Sequence, residues 1–188
     1  MTHHLPPFLV LALACLGPPA AAQHHGHSPA ASQAPPAGNA GQEAREIKAL
    51  SDEDQRAWLE GQGAGLARAA ELNSYPGPMH VLEHADRLGL SATQHEQTRA
   101  LMGRHKAEVR LLGAELVAAE RRLDELFRSR QATQAAVALQ TQQIGSLAAR
   151  IRAAHLNTHL EQTALLRPEQ IVAYDRLRGY RSADNLAR

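Results

Sequence analysis

Two pairs of histidines stand out by their spacing: His80 and His84 in "HVLEH", and His155 and His159 in "HLNTH". Residues four apart on a helix project from one face, so each pair can offer two imidazoles to a single ion. Two such pairs meeting between helices would supply four nitrogen ligands, a set that suits Zn, Ni, Co or Cu(II) and not Ca or Mg. A third group lies earlier in the chain, where Gln23, His24, His25 and His27 stand close together. If the chain is cut after Ala22, His25 becomes the third residue from a free amine. The amine of Gln23, two backbone amide nitrogens and that imidazole can then form the square-planar site that Cu(II) and Ni(II) prefer, and His27 adds a further nitrogen. Taken singly, each histidine reads equally well as a solvated or packed residue, so the chemistry rests on the pairing.

No comparable constellation points to catalysis. The chain has no Ser-His-Asp spacing, no glycine-rich phosphate loop and no obvious pair of catalytic carboxylates. An ion closed by four protein ligands also leaves no position for water. An enzyme is therefore not expected.

Residues 1 to 22 read as a secretory signal peptide, with an apolar run from Phe8 to Leu16 that is too short to span a bilayer and Ala20-Ala21-Ala22 ahead of the cut. The single cysteine, Cys15, lies inside that segment. Removal of the peptide would exclude disulfides, thiolate nucleophiles and Cys-ligated zinc together. The alternative is a lipoprotein anchored to a membrane through Cys15. With 20 basic and 19 acidic side chains the charge is nearly even, which gives no support for nucleic acid as a partner.

The histidines need elements to position them. Residues 23 to 42 are rich in Pro, Gly, Ala, Ser and Gln, cannot offset the entropy of ordering, and are expected to be a disordered arm. A folded domain is expected over 43 to 180, with a frayed tail over 181 to 188. Its first part, Glu43 to Asn73, reads as helical, with Ser51 as a cap and Gly61, Gly63 and Gly65 weakening the middle. Pro78 opens a short helix carrying His80 and His84 to about Leu88, and Gly89 ends it. Ser91 with Gln94 caps a long helix to about Arg130, in which Met102, His105, Val109, Leu112, Leu116, Ala119, Leu123 and Leu126 form one stripe. A second long helix, about Ala132 to Leu166, carries Ile144, Ala148 and Ile151 on a stripe that continues into His155, His159 and Gln162. Two helices this long predict an elongated antiparallel hairpin whose apolar stripes a second copy should help to cover.

The hairpin is bracketed by two related pentapeptides, "LSATQ" at Leu90 to Gln94 and "LRPEQ" at Leu166 to Gln170. Each differs by one residue from a Leu-Thr-x-x-Gln motif. In this the chain, over about residues 45 to 180, resembles the periplasmic superfamily of the Spy and CpxP stress proteins, the zinc-resistance-associated protein and the nickel-cobalt sensor CnrX. The resemblance implies an all-α hooked hairpin of about four helices, usually an antiparallel dimer, in the periplasm of a Gram-negative bacterium. Some members are ATP-independent chaperones or stress-signalling modulators, and others bind transition metals. In the metal-sensing branch a His-x-x-x-His precedes the first motif, as His80 and His84 do here. A second ligand pair, His then Met four residues on, lies late in the second long helix, in the region of His155 and His159. That branch also uses a Glu early in the first long helix, where this chain has Met102, with His105 next along the seam.

Together these features predict a periplasmic transition-metal-binding protein of heavy-metal sensing or resistance, holding Zn, Cu, Ni or Co. An inner-membrane signalling partner would fit that role. The alternative is an ATP-independent chaperone or envelope-stress modulator whose scattered Leu, Val and Ala among Arg104, Lys106, Arg110, Arg121 and Arg122 hold unfolded clients.

Overall fold

The computed structural model describes residues 38–63 and 65–180, within one compact unit. The expected signal peptide, Gln23, His24, His25 and His27, and the tail after Tyr180 lie outside the described residues. Seven α-helices and one 3-10 turn, Gln42–Ala44, make up the regular structure, with no strand among the described residues. They are α1 (Asp52–Glu60), α2 (Arg68–Glu71), α3 (Pro78–Glu83), α4 (Ala85–Leu88), α5 (Ala92–Arg128), α6 (Gln134–Leu165) and α7 (Pro168–Leu177). The all-α class is as expected. No helix among the described residues is long and apolar enough to cross a membrane.

The seven helices exceed the expected number of about four because two segments each break in two and the short helix opened by Pro168 adds one more. Glu43 to Asn73 is not one helix: the Ser51 and Asp54 capping box starts α1, and Gly61, in the left-handed region at φ 69°, stops it. The segment resumes as a helix only at α2. The second break falls on His84 itself, whose backbone at φ −108° and ψ 18° divides α3 from α4. His84 N–H still donates to the His80 carbonyl at 3.1 Å, so the turn closes although the helix does not continue smoothly.

The two long helices follow the apolar stripes. Val109, Leu112, Leu116 and Ala119 of α5 are buried, and Leu112, Leu116 and Ala119 form one core cluster with Leu147 and Ile151 of α6. Contacts between the helices step in opposite directions along the chain: Gln94 reaches Leu165, Arg104 reaches Glu161, and Glu115 faces Arg150. Helix α1 packs on α5 closely enough that a Cβ at Gly113 would lie 2.0 Å from the Trp58 carbonyl oxygen. Backbone cannot yield there, so this position admits glycine alone. A second cluster, Val81, Leu88, Leu166 and Tyr174, ties α3, α4 and α7 together beyond the end of α6.

The two pentapeptides meet at that junction. Ser91 and Arg167 are the N-caps of α5 and α7, and each helix folds its own glutamine back to accept from the cap N–H, Gln94 at 3.0 Å and Gln170 at 2.9 Å. The amide NH2 of Gln94 also donates to the Gln170 carbonyl oxygen at 2.8 Å and to the Leu165 carbonyl at 2.8 Å. Gln170 returns the contact, with its NH2 3.2 Å from Gln94 Oε1 and from the Leu88 and Gly89 carbonyls. The motif residues thus cap their own helices and clamp α5, α7 and the end of α4 to one another.

Candidate metal centre

Where α2, α3, α5 and α6 come together, they enclose a cavity of about 720 Å³. His80, His105, His155 and His159 line it, with Glu71. His84 does not. Of the first histidine pair, His80 thus lines the cavity, while His84, where the helix breaks, is not among its lining residues. His155 and His159, one turn apart on α6, both reach the cavity, and the ring that joins them from α5 is His105.

Hydrogen bonds fix which nitrogen of each ring carries its proton. The Thr158 hydroxyl donates to the Ala154 carbonyl at 2.8 Å, so toward His105 Nδ1, 3.0 Å away, its oxygen can only accept. His105 Nδ1 is then the N–H, and its Nε2 is an acceptor for His155 Nδ1–H at 3.1 Å. The relay ends on His155 Nε2, a buried lone pair with no hydrogen-bond partner. The His155 side is closed by Gly63, where a Cβ would stand 3.5 Å from the ring. His159 Nδ1–H donates to the Tyr75 carbonyl at 2.7 Å, which leaves its Nε2 unprotonated. A Cβ at Gly77 would meet that Nε2 at 2.9 Å, so the ring packs against a position that only glycine fits. His80 Nδ1 stands 2.6 Å from the Glu83 carboxylate, and in the neutral ring its Nε2 is likewise the free nitrogen. Glu83 is held below the usual carboxylate range by that hydrogen bond.

A carboxylate braces the far side. Glu71 Oε1 accepts from the Tyr174 hydroxyl at 2.5 Å and the Tyr180 hydroxyl at 2.9 Å, with Arg178 Nε at 3.5 Å. Its Oε2 lies 3.6 Å from His159 Nδ1. Burial, and then the hydrogen bond to Glu71, push the Tyr174 hydroxyl far above its ordinary value, so it stays a donor. Outer partners of this kind, carbonyl or carboxylate on Nδ1, set the tautomer and orientation of metal-ligating histidines. No three His, Cys, Asp or Glu side chains among the described residues are yet gathered around a common point. Chelation requires His80, whose side chain is 24% exposed, to swing toward the two rings of α6.

Glu71, His105 and Thr158 are the parts that sequence reasoning did not assign to the site. His105 was legible as a seam residue next to the pair, but the direction of its proton depends on a threonine hydroxyl across the helix interface. Nothing local marks Glu71, which acquires its role from Tyr174 and Tyr180, more than a hundred residues on.

The relay has a consequence for stability. Burial first, then the charges of His105 and His159, hold His155 down from 6.5 to about 4. Burial also lowers His105, against an opposing pull from Glu108, with His159 adding a smaller lowering of its own. The unfolded ring takes up a proton below about 6.5, whereas the folded one waits until about 4. Stability from His155 is thus fully present above 6.5 and drains as pH falls toward 4, by on the order of 2 kcal/mol once the openness of the cavity to water is allowed for. Urea midpoints of the chain and of His155→Phe at pH 7 and pH 4.5 check this. The chain should lose more stability than the variant across that interval, and equal losses would contradict the assignment.

Comparison with known protein families, curated proteins and solved structures gives no match to this chain.

Proposed function

We propose that the folded domain binds a transition-metal ion through Nε2 of His155, His159 and His80, with His105 and Glu71 as orienting groups. The observation that carries this is that His80, His155 and His159 line one cavity, with Nδ1 of each already engaged by an outer partner. His155 Nε2 is buried without a hydrogen-bond partner, and His159 Nε2 packs so closely on Gly77 that a Cβ there would stand 2.9 Å from it. An unpaired buried acceptor is costly to keep, and a Lewis-acidic ion would satisfy it. Imidazole donors suit Zn, Cu, Ni or Co.

The protein on this reading works in the periplasm in heavy-metal sensing or resistance and is not an enzyme. The signal-like residues 1 to 22 and the resemblance to the Spy, CpxP and CnrX superfamily support that location and role. The same reading takes the domain as an elongated, hooked hairpin that pairs antiparallel with a second copy. Leu111 and Leu139, 69% and 64% exposed on the two long helices, are the apolar side chains such a partner would cover. The arm, with Gln23, His24, His25 and His27, adds a Cu(II) or Ni(II) site of its own. A chaperone of the same superfamily would leave the three lone pairs without a use.

Titration of the full chain carrying His24→Ala, His25→Ala and His27→Ala with Zn(II), Co(II) and Ni(II) tests the domain site apart from the arm. One ion per chain is expected for at least one of the metals. No binding of any of these, nor of Cu(I), at micromolar protein would end the metal reading.

A further inference from the structure

The cavity holds more than nitrogen donors. The chain has 3 methionines, Met1, Met79 and Met102, and both that lie in the folded domain line this cavity. Neither belongs to either apolar core cluster, so neither is explained as a filler of the interior. Met79 is 49% exposed beside His80 on α3, and Met102 is half-buried one turn before His105 on α5. Flexible thioethers on two different helices thus line the same cavity as His155 and His159.

The charges around the cavity bear on which ion it suits. Arg68, Lys106 and Arg110 line it against Glu60 and Glu71, three positive groups to two negative. Glu71 is already engaged by two phenols and by Arg178. With neutral histidines and thioethers as donors, the ligand set brings no negative charge to offset a divalent ion. Repulsion from the basic groups grows in proportion to the charge of the ion, so a singly charged soft cation meets half of it. Soft thioether donors favour Cu(I) over the harder divalent metals by their own chemistry.

We infer that the preferred ligand of this cavity is a monovalent soft cation, Cu(I) or its analogue Ag(I), held by Met79 and Met102 together with imidazole nitrogens of His155 and His159. The inference rests on the metal-binding reading above and specifies the class of ion. Binding forms metal–sulfur and metal–nitrogen bonds with no change of oxidation state.

The test compares the full chain bearing the three arm substitutions with the same chain also carrying Met79→Leu and Met102→Leu, replacements that keep volume and helix preference. Cu(I), kept reduced under anaerobic conditions, is titrated in competition with a coloured Cu(I) chelator, and Zn(II) is titrated in parallel. The expected result is Cu(I) bound more tightly than Zn(II), an at least ~10-fold loss of Cu(I) affinity in the leucine variant, and Zn(II) affinity unchanged within about twofold. X-ray absorption should find sulfur neighbours on the copper that the leucine variant lacks. Equal Cu(I) affinity in both chains, or a copper without sulfur neighbours, would overturn the inference while Zn(II) binding left the metal reading standing. Failure of both ions to bind would remove the two together.

Discussion

Replacing His155 and His159 together by alanine, in a chain whose arm histidines are also removed, should weaken metal binding by ~100-fold or more. Two of the three imidazole donors would be lost, and with them the chelate. Helix content should persist, since alanine is the best helix former and both residues lie inside a 32-residue helix, more than one turn from its end. The single substitutions sharpen the test. His80→Ala should cost affinity because its ring lines the cavity, whereas His84→Ala should leave it within about twofold because its ring does not. An equal loss from His80→Ala and His84→Ala would mean that the two act as the pair their spacing suggests. Retained affinity in the His155/His159 double variant would locate the metal elsewhere.

The second large effect is expected at the glutamine clamp. Gln170 is 2% exposed, and its side chain touches the Arg167 N–H, both polar ends of Gln94 and the Leu88 and Gly89 carbonyls. Gln170→Ala would strand those groups at the junction of α4, α5 and α7, with a cost of about 2–4 kcal/mol from unsatisfied buried partners. Gln170→Glu keeps the size but replaces the donor end with an acceptor facing two carbonyls, so it should rescue little. Urea midpoints measure both variants. A midpoint within experimental error of the parent chain would show that the pentapeptides are not what joins the three helices.

Much of the frame was legible from local signals. The Ser91 and Gln94 box marks the start of α5 to the residue, and the step-of-three-and-four stripe that runs Ile151, His155, His159, Gln162 is the face α6 buries. The continuous helix expected across Glu43 to Asn73 failed at Gly61 to Gly65, the three glycines that had already weakened it. What sequence could not supply was anything decided by distant partners. The pair at His80 and His84 has the spacing of a chelate, yet only His80 is among the residues that line the cavity. The tautomer of His155 follows from Thr158 through His105, and the place of Glu71 from two tyrosines on the far side of α7.

The central claim is that partners on Nδ1 set the same tautomer, with the lone pair on Nε2, in the neutral rings of His80, His155 and His159, three residues that line one cavity. Long-range proton–nitrogen NMR of the imidazole rings, before and after addition of Zn(II), reads this directly. In the metal-free chain, the neutral form of each of the three rings should show a protonated Nδ1 and an unprotonated Nε2. On adding Zn(II), the Nε2 signals of these rings should shift while that of His84 stays in place. A protonated Nε2 on His155 or His159 in the metal-free chain, or metal-induced shifts confined to other histidines, would contradict the account.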